Sequence, residues 1–277
     1  MHIHKKVDIA VLDSFVTKFA NRYIAQRSET QFDYASMSIG TLFGETGYNT
    51  DKLQEIIKQN ATPYDKMREM RLEPLVLNDI YRSDLGELLM TYYFEEKLAE
   101  GERYIIPLKN ISFRERAELP GRGLDAIGYK RIGEDKIEIL LGEAKVSAEK
   151  KSPPAVVDST KDSIYHTQKG HHENLNVVIR RLSDYVRRLN ATDASMLGYA
   201  IINIHNNTIN KYSITYGCTL IRDYSCVNEA NDFGKMKTQV AEFEPNKIHF
   251  SILSFENKTI KETVDLFYKK VQELIEG

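Results

Sequence analysis

Five stretches of the chain place an acidic residue two positions before a lysine: Glu95-Glu96-Lys97, Glu134-Asp135-Lys136, Glu143-Ala144-Lys145, Glu149-Lys150-Lys151 and Glu256-Asn257-Lys258. Four lie in charged surroundings, where a solvated face accounts for them. The third follows the apolar run Ile137-Glu138-Ile139-Leu140-Leu141-Gly142 and so closes a strand of buried type. Charges there are costly unless they are paired or bound to a metal.

The register of a hairpin sharpens this reading. Gly133-Glu134-Asp135 is a turn signal between two strand-like runs. A hairpin centred on Glu134 pairs residues whose numbers sum to 268, which sets Asp125 opposite Glu143. Opposed side chains of an antiparallel pair have Cβ atoms about 4.5–5.5 Å apart. Two carboxylates at that distance repel each other in a partly buried site, and a divalent cation between them removes the conflict. Lys145 projects on the same face as Glu143, because side chains alternate along a strand. These residues make an expected phosphodiesterase site. Asp125 and Glu143 hold a hard cation, Mg²⁺ with Mn²⁺ able to substitute, and the Ala144 carbonyl is a further oxygen ligand. The cation polarises a scissile phosphate and acidifies a bound water. Lys145 orients that water or stabilises charge in the transition state.

Glu87, in Asp84-Leu85-Gly86-Glu87, has two open readings. It stands near the metal, beside a glycine that permits close backbone approach, or it pairs with Asp84 as a capping box at a helix start. His166, His171 and His172 mark either a phosphate-contacting loop or a solvated polar one. Arg180, Arg181, Arg187 and Arg188 either track a nucleic-acid backbone, pair with a partner's acids, or form a solvated helix face.

The elements that must position these residues follow from periodicity. Residues 9–26 read as an amphipathic helix and Asp51–Gln59 as another, with Thr50 as its N-cap; loops or short strands are expected over 28–50. A soft boundary near residue 72 divides an α-rich extension (1–72), a candidate partner-docking segment, from a nuclease domain (73–277). In the latter, residues 75–99 read as a long helix stopped by Gly101. Strands are expected over Tyr104–Phe113, Leu124–Arg131 and Lys136–Val146, then a polar stretch to about Glu173. A helix over 174–190, strands over Ser195–Ile204 and Lys247–Phe255, and a helix over Thr259–Ile275 complete the pattern. The fold class is α/β of the α+β type, a mixed sheet flanked by helices.

The 277 residues are 42% hydrophobic and 28% charged, which sets intrinsic disorder aside. No apolar run approaches the roughly 18 residues a bilayer span requires. The opening Met1–Asp8 is charged, with no apolar segment behind it. Cys218 and Cys226 read as two free thiols rather than a disulfide or zinc site. A cytoplasmic setting is expected. The net charge is −2, whereas proteins that hold nucleic acid unaided are usually basic. Either a local basic surface meets the phosphates, or another subunit supplies much of the grip on DNA.

The order helix, three strands with Asp125 on the second and Glu143-Ala144-Lys145 on the third, then helix and strand, resembles the PD-(D/E)xK nuclease superfamily over roughly residues 75–205. That resemblance implies a restriction-endonuclease-like core. Leu124 stands where that family usually has proline. Gln168 is followed at the spacing of a family Gln-x-x-x-Tyr by His172 instead, so that feature is not carried over. More narrowly, Gly123-Leu124-Asp125-Ala126-Ile127-Gly128 with Leu141-Gly142-Glu143-Ala144-Lys145, preceded by Asp84-Leu85-Gly86-Glu87, resembles the HamA family, nuclease subunits of the Hachiman anti-phage system. It implies a Mg²⁺-dependent DNA endonuclease restrained by a helicase partner, HamB, until invading DNA is engaged. Two rivals stay open: a catalytically silent nuclease-fold module that docks DNA or a helicase, and a conventional restriction enzyme, for which no recognition domain is evident.

Overall fold

The central strand of the protein owes its position to a run that is apolar on both sides. In the computed structural model, which describes residues 2–28, 50–59, 74–113, 123–186 and 188–276, this strand is the fourth in chain order and spans Lys136–Ser147. Ile137, Ile139 and Leu141 point into one hydrophobic cluster, while Leu140 and Ala144 point into the other. Only a strand covered by helices on both faces buries both sets.

The strands are β1 (Ile3–Ile9), β2 (Ile105–Lys109), β3 (Ala126–Ile132), β4 (Lys136–Ser147), β5 (Tyr212–Arg222) and β6 (Lys247–Phe255). They form one mixed sheet in the order β1-β6-β5-β4-β3-β2. From β1 to β4 neighbours run parallel, and β3 is antiparallel to both β4 and β2. Helices of ten residues or more are α1 (Asp13–Ser28), α2 (Thr50–Gln59), α3 (Pro74–Tyr92), α4 (Ile164–Glu173), α5 (Leu175–Val186), α6 (Ala191–His205) and α7 (Ile260–Glu276).

On one face, α1 buries Val16, Phe19, Ala20, Tyr23 and Ile24, a full i, i+3, i+4, i+7, i+8 stripe. It packs with α3 and with Phe267 and Tyr268 of α7 against Leu140, Ala144, Ile221 and Leu253. Asp84, buried within α3, accepts hydrogen bonds from Tyr23 and Tyr268, each at 3.1 Å, and so ties the three helices together. On the other face, α5 (Val178, Leu182) and α6 (Leu197, Ala200, Ile204) cover Ile139, Leu141, Ile214, Tyr216 and Ile252. The segment α4–α6 is the crossover that makes β5 parallel to β4.

Several sequence expectations are corrected. The first residues build the sheet and core: β1 is an edge strand on β6 and α1 lies in the main core, so the opening is not purely α-rich. The boundary near residue 72 lies outside the described residues, and so do the loops or short strands expected over 28–50 apart from Ser28 and Thr50, which end and begin helices. The long helix ends in a π turn over Tyr93–Lys97, and Gly101 sits in a separate 3₁₀ turn. The second strand stops at Lys109, where Asn110–Phe113 turns helical. The polar stretch before Glu173 contains α4. Residues 195–204 belong to helix α6, capped by Asn190 accepting from the Asp193 amide at 2.9 Å, and the next strand is β5. A short apolar run does not itself distinguish a strand from a buried helix.

Candidate active site

The hairpin forms in the expected register, with Ala126 opposite Gly142 and Ile132 opposite Lys136. Asp125 stands one residue before β3. Its amide donates to the Gly142 carbonyl at 3.1 Å and its carbonyl accepts from Asn110 at 2.8 Å, so its backbone is fixed from both sides. One oxygen of its side chain, Oδ2, accepts from the Ala144 amide at 2.7 Å. Amide and carbonyl of one strand residue point the same way, which turns the Ala144 carbonyl toward Asp125 as well.

Glu143 is only 3% exposed, on the face covered by α4–α6. Its Oε1 lies 3.4 Å from Lys145 Nζ, and its buried Oε2 has no hydrogen-bond partner. Burial, and then the charge of Asp125, push its carboxyl well above the usual range, against the opposing pull of Lys145. A buried carboxylate oxygen without a donor, facing a second carboxylate, is a position that a cation fits. Lys145 Nζ lies 2.5 Å from Asp162 Oδ1. Burial pulls its pKa down, but Glu143 and Asp162 outweigh this and hold it at about 12.

Glu87 is brought to the same place from the opposite face of the sheet. Helix α3 lies close on β4 because Gly86 has no side chain: a Cβ there would sit 2.7 Å from Val146 Cγ2. Glu87 is buried and lines the same cleft as Asp125, Glu143, Ala144 and Lys145. Asp84 lies well inside α3, not at a helix start, which removes the capping-box reading.

The cleft has a volume of about 860 Å³. Its far wall is one side of α4, where His166, Thr167, Gly170 and His171 recur at helical spacing, followed by Asn174. Ser163 starts that helix, its hydroxyl accepting from the His166 amide at 3.2 Å. Gln168 locks it to the sheet through a bond from Nε2 to the Leu141 carbonyl at 3.0 Å. The three histidines separate. His166 is exposed at the cleft. His172 turns away, its Nδ1 2.9 Å from the Tyr216 hydroxyl. His171 lines the cleft and is held neutral at about 4 by burial and then by the charge of Arg181. Asp162, the nearest carboxylate to Lys145, was not singled out by sequence; no local signal joins it to a strand so far upstream.

The acids and a backbone carbonyl form an oxygen donor set suited to a hard cation that keeps several waters, with the cationic Lys145 beside it. Among the described residues no group of three or more His, Cys, Asp or Glu side chains is set to hold a metal, so protein carboxylates alone do not complete a coordination shell here. No described helix is long and apolar enough to cross a membrane. A sequence profile of the family described as HamA matches residues 3–271. No curated protein and no solved structure matches.

Proposed function

The chain belongs to the HamA family, the nuclease-like subunit of the Hachiman antiviral defence system, and on that premise we propose that it is a metal-dependent DNA endonuclease with a restriction-endonuclease-like core. The observation that carries the reading is the pairing of Asp125 with the buried, donor-less Oε2 of Glu143 at the end of β4, with Lys145 on the same face.

Asp125, Glu143 and the Ala144 carbonyl would hold Mg²⁺, or Mn²⁺ in its place, with Glu87 in the same cleft as a further carboxylate for it. Such a cation supplies a Lewis acid for the scissile phosphate and lowers the pKa of water. The remaining steps belong to the chain. Lys145, held cationic at about 12, is a charge stabiliser and not a base at neutral pH. It faces the position where a phosphate oxygen gains negative charge, and Glu143 aims it there. Burial of Glu143 beneath α4 keeps bulk water from screening this pair.

The chain carries 38 Lys and Arg against 40 Asp and Glu, so its general attraction for DNA is weak at physiological salt. This supports a division of labour in which a helicase subunit captures DNA and restrains the nuclease in the cytoplasm. The experiment is plasmid cleavage by purified protein with Mg²⁺ or with EDTA, alone and with the copurified helicase, using wild type, Glu143→Ala and Lys145→Ala. Cleavage that needs Mg²⁺ and is lost in both variants supports the reading. Wild-type cleavage by either variant overturns the site. Full protection of cells by the chain without any partner overturns the restraint.

A further inference from the structure

The charge balance of the cleft sets a requirement for a polyanionic substrate. Among the described residues its lining carries the carboxylates of Glu87, Asp125, Glu143 and Asp162 against the fixed cations of Arg82 and Lys145. A divalent cation at Asp125 and Glu143 brings that balance only to neutrality, so the phosphates of a bound strand gain net attraction from cations outside the cleft. The arginines of α5 and its end are not placed for this: Arg180, Arg181 and Arg188 do not line the cleft, and Arg187 lies outside the described residues. We propose that Lys150, Lys151 and Lys161 are those cations, a basic rim at the mouth of the cleft that holds the phosphate backbone of a nucleic-acid strand. The proposal rests on the nuclease reading and adds to it the surface that seats the substrate.

The segment that joins β4 to α4 leaves from the cleft and returns to it. Lys145 and Val146 line the cleft on the way out, and Val156 and Asp162 line it on the way back. The Glu149 carboxylate accepts from the Ala155 amide at 2.9 Å, which closes the loop carrying Lys150 and Lys151 at its base, next to Val156. Lys161 immediately precedes Asp162, whose carboxylate reaches Lys145 Nζ. All three lysines are exposed, and among the described residues none is held by an ion pair or a side-chain hydrogen bond. The carboxylates interspersed with them are engaged elsewhere: Glu149 by the Ala155 amide, Asp158 by the Lys235 amide at 2.9 Å, and Asp162 by Lys145.

The foundation of this loop distinguishes it from an ordinary solvated lysine pair. Arg222 and Asp232 are both fully buried. Arg222 donates to the carbonyl of Glu149 and, at 2.7 Å, to that of Lys151, while Asp232 accepts from the Ser152 hydroxyl at 2.6 Å. Taking two charges out of water is costly, and here the pair directs its hydrogen bonds to the backbone of one exposed loop. The carbonyls are held inward and the lysine side chains stand in solvent. A loop fixed in advance loses little freedom when a ligand arrives. An ammonium on a flexible stem is a point charge that meets a phosphate from many directions, which suits contacts that hold a backbone without reading sequence.

The test measures binding of a fluorescently labelled DNA duplex by the full chain in Ca²⁺, from low salt upward, together with Mn²⁺ affinity by calorimetry. The triple variant Lys150→Gln/Lys151→Gln/Lys161→Gln is expected to bind roughly tenfold or more weakly. Its slope of log K against log salt should fall by about one for each lysine removed, with Tm and Mn²⁺ affinity unchanged. Lys136→Gln, which removes the same charge at the far end of β4, should stay within about twofold of wild type. If the triple variant melts below wild type, the single variants carry the comparison, each with a slope lower by about one. Wild-type affinity and slope in the folded triple variant, or in every single variant, overturn the proposal. Loss of copurification with the helicase at unchanged DNA affinity also overturns it, and assigns the lysines to the subunit interface instead. Loss of cleavage in Glu143→Ala upholds the nuclease in either case, whereas a wild-type chain that neither binds nor cuts DNA overturns both.

Discussion

The Ala144 amide donates to the Asp125 carboxylate across 2.7 Å, so the strand that carries Glu143 and Lys145 also grips the acid on its neighbour. The acid is thus oriented before any cation arrives. Asp125→Asn keeps an acceptor oxygen for that amide, whereas Asp125→Ala removes it. We expect the asparagine variant to unfold in urea near the wild-type midpoint, and the alanine variant to lose roughly 1.5–3 kcal/mol, as for a hydrogen bond to a charged group. Both should bind Mn²⁺ poorly by calorimetry. Wild-type Mn²⁺ affinity in Asp125→Asn would show that the carboxylate serves the hairpin alone.

Glu143→Gln removes a buried charge from beside a second carboxylate and keeps the shape. Without divalent cations the variant should be more stable than wild type by roughly 1–3 kcal/mol, and it should not cleave DNA. Melting in EDTA checks this. A lower Tm than wild type would mean that Lys145 already compensates Glu143 in full.

Asp162 is bonded to Lys145, yet its side chain is 88% exposed. An exposed pair of this kind contributes at most about 1 kcal/mol. Asp162→Asn should leave Tm unchanged and free the lysine for phosphate, tightening DNA binding about two- to fivefold by fluorescence anisotropy. Loss of cleavage with unchanged DNA affinity would instead identify Asp162 as part of the reaction.

Arg222 and Asp232 form an ion pair with both side chains fully buried. Arg222 also donates to the carbonyls of Glu149 and Lys151, the latter at 2.7 Å, which pins the chain as it leaves β4. Asp232→Asn leaves that guanidinium without its counter-charge and should cost about 3–5 kcal/mol, read as a fall in the urea midpoint. A change under 1 kcal/mol on the same scale would show that the carbonyls suffice.

His249 is buried, with Nε2 2.9 Å from the Tyr93 hydroxyl. Burial first, then Lys5 and Lys130, lower its pKa from 6.5 to about 4, against the opposing charge of Glu138. The unfolded chain therefore binds this proton more readily. Stability present above pH 6.5 is lost as pH falls from 6.5 toward about 4, and the shift corresponds to roughly 3 kcal/mol. His249→Gln should flatten that limb of a Tm-against-pH curve. His171, lowered similarly, acts in the same window and leaves a residual slope. A variant with the full wild-type slope would remove His249 from the acid response.

The hairpin was legible because its signals are local. An apolar run ending in Glu143-Ala144-Lys145, a turn at Gly133, and side-chain alternation suffice to set the register seen from Ala126 to Ile132. Helix α1 was legible for the same reason, through its unbroken apolar stripe. Edge strand β1 was not: among the described residues it pairs on one side only, and Lys5 interrupts the alternation of Ile3, Val7 and Ile9. Helix α4 buries only Ile164 and Gln168, so its apolar signal was too thin to read, although Ser163 was there as a cap. Residues 195–204 and 212–222 are both apolar runs, and what separates them is their place in the fold: the first lies on the sheet as α6 and the second enters it as β5. The meeting of Lys145 with Asp162, and of Gly123 with Arg181, depends on how α4 and α5 fold back over β4, which no local pattern encodes.

The pairing of β1 with β6 has a consequence for the order of assembly. Ile3 lies beside His249, which follows it by 246 residues. At a translation rate of about 5–20 residues per second, β1 waits roughly 12–50 s for its neighbour β6. During that interval the strand is unpaired, and its lysines keep it from adding to a stray strand edge. Helix α1 waits about as long for Phe267 and Tyr268, the aromatic partners of Tyr23. The pairing of β1 with β6 is therefore among the last that the sheet can complete.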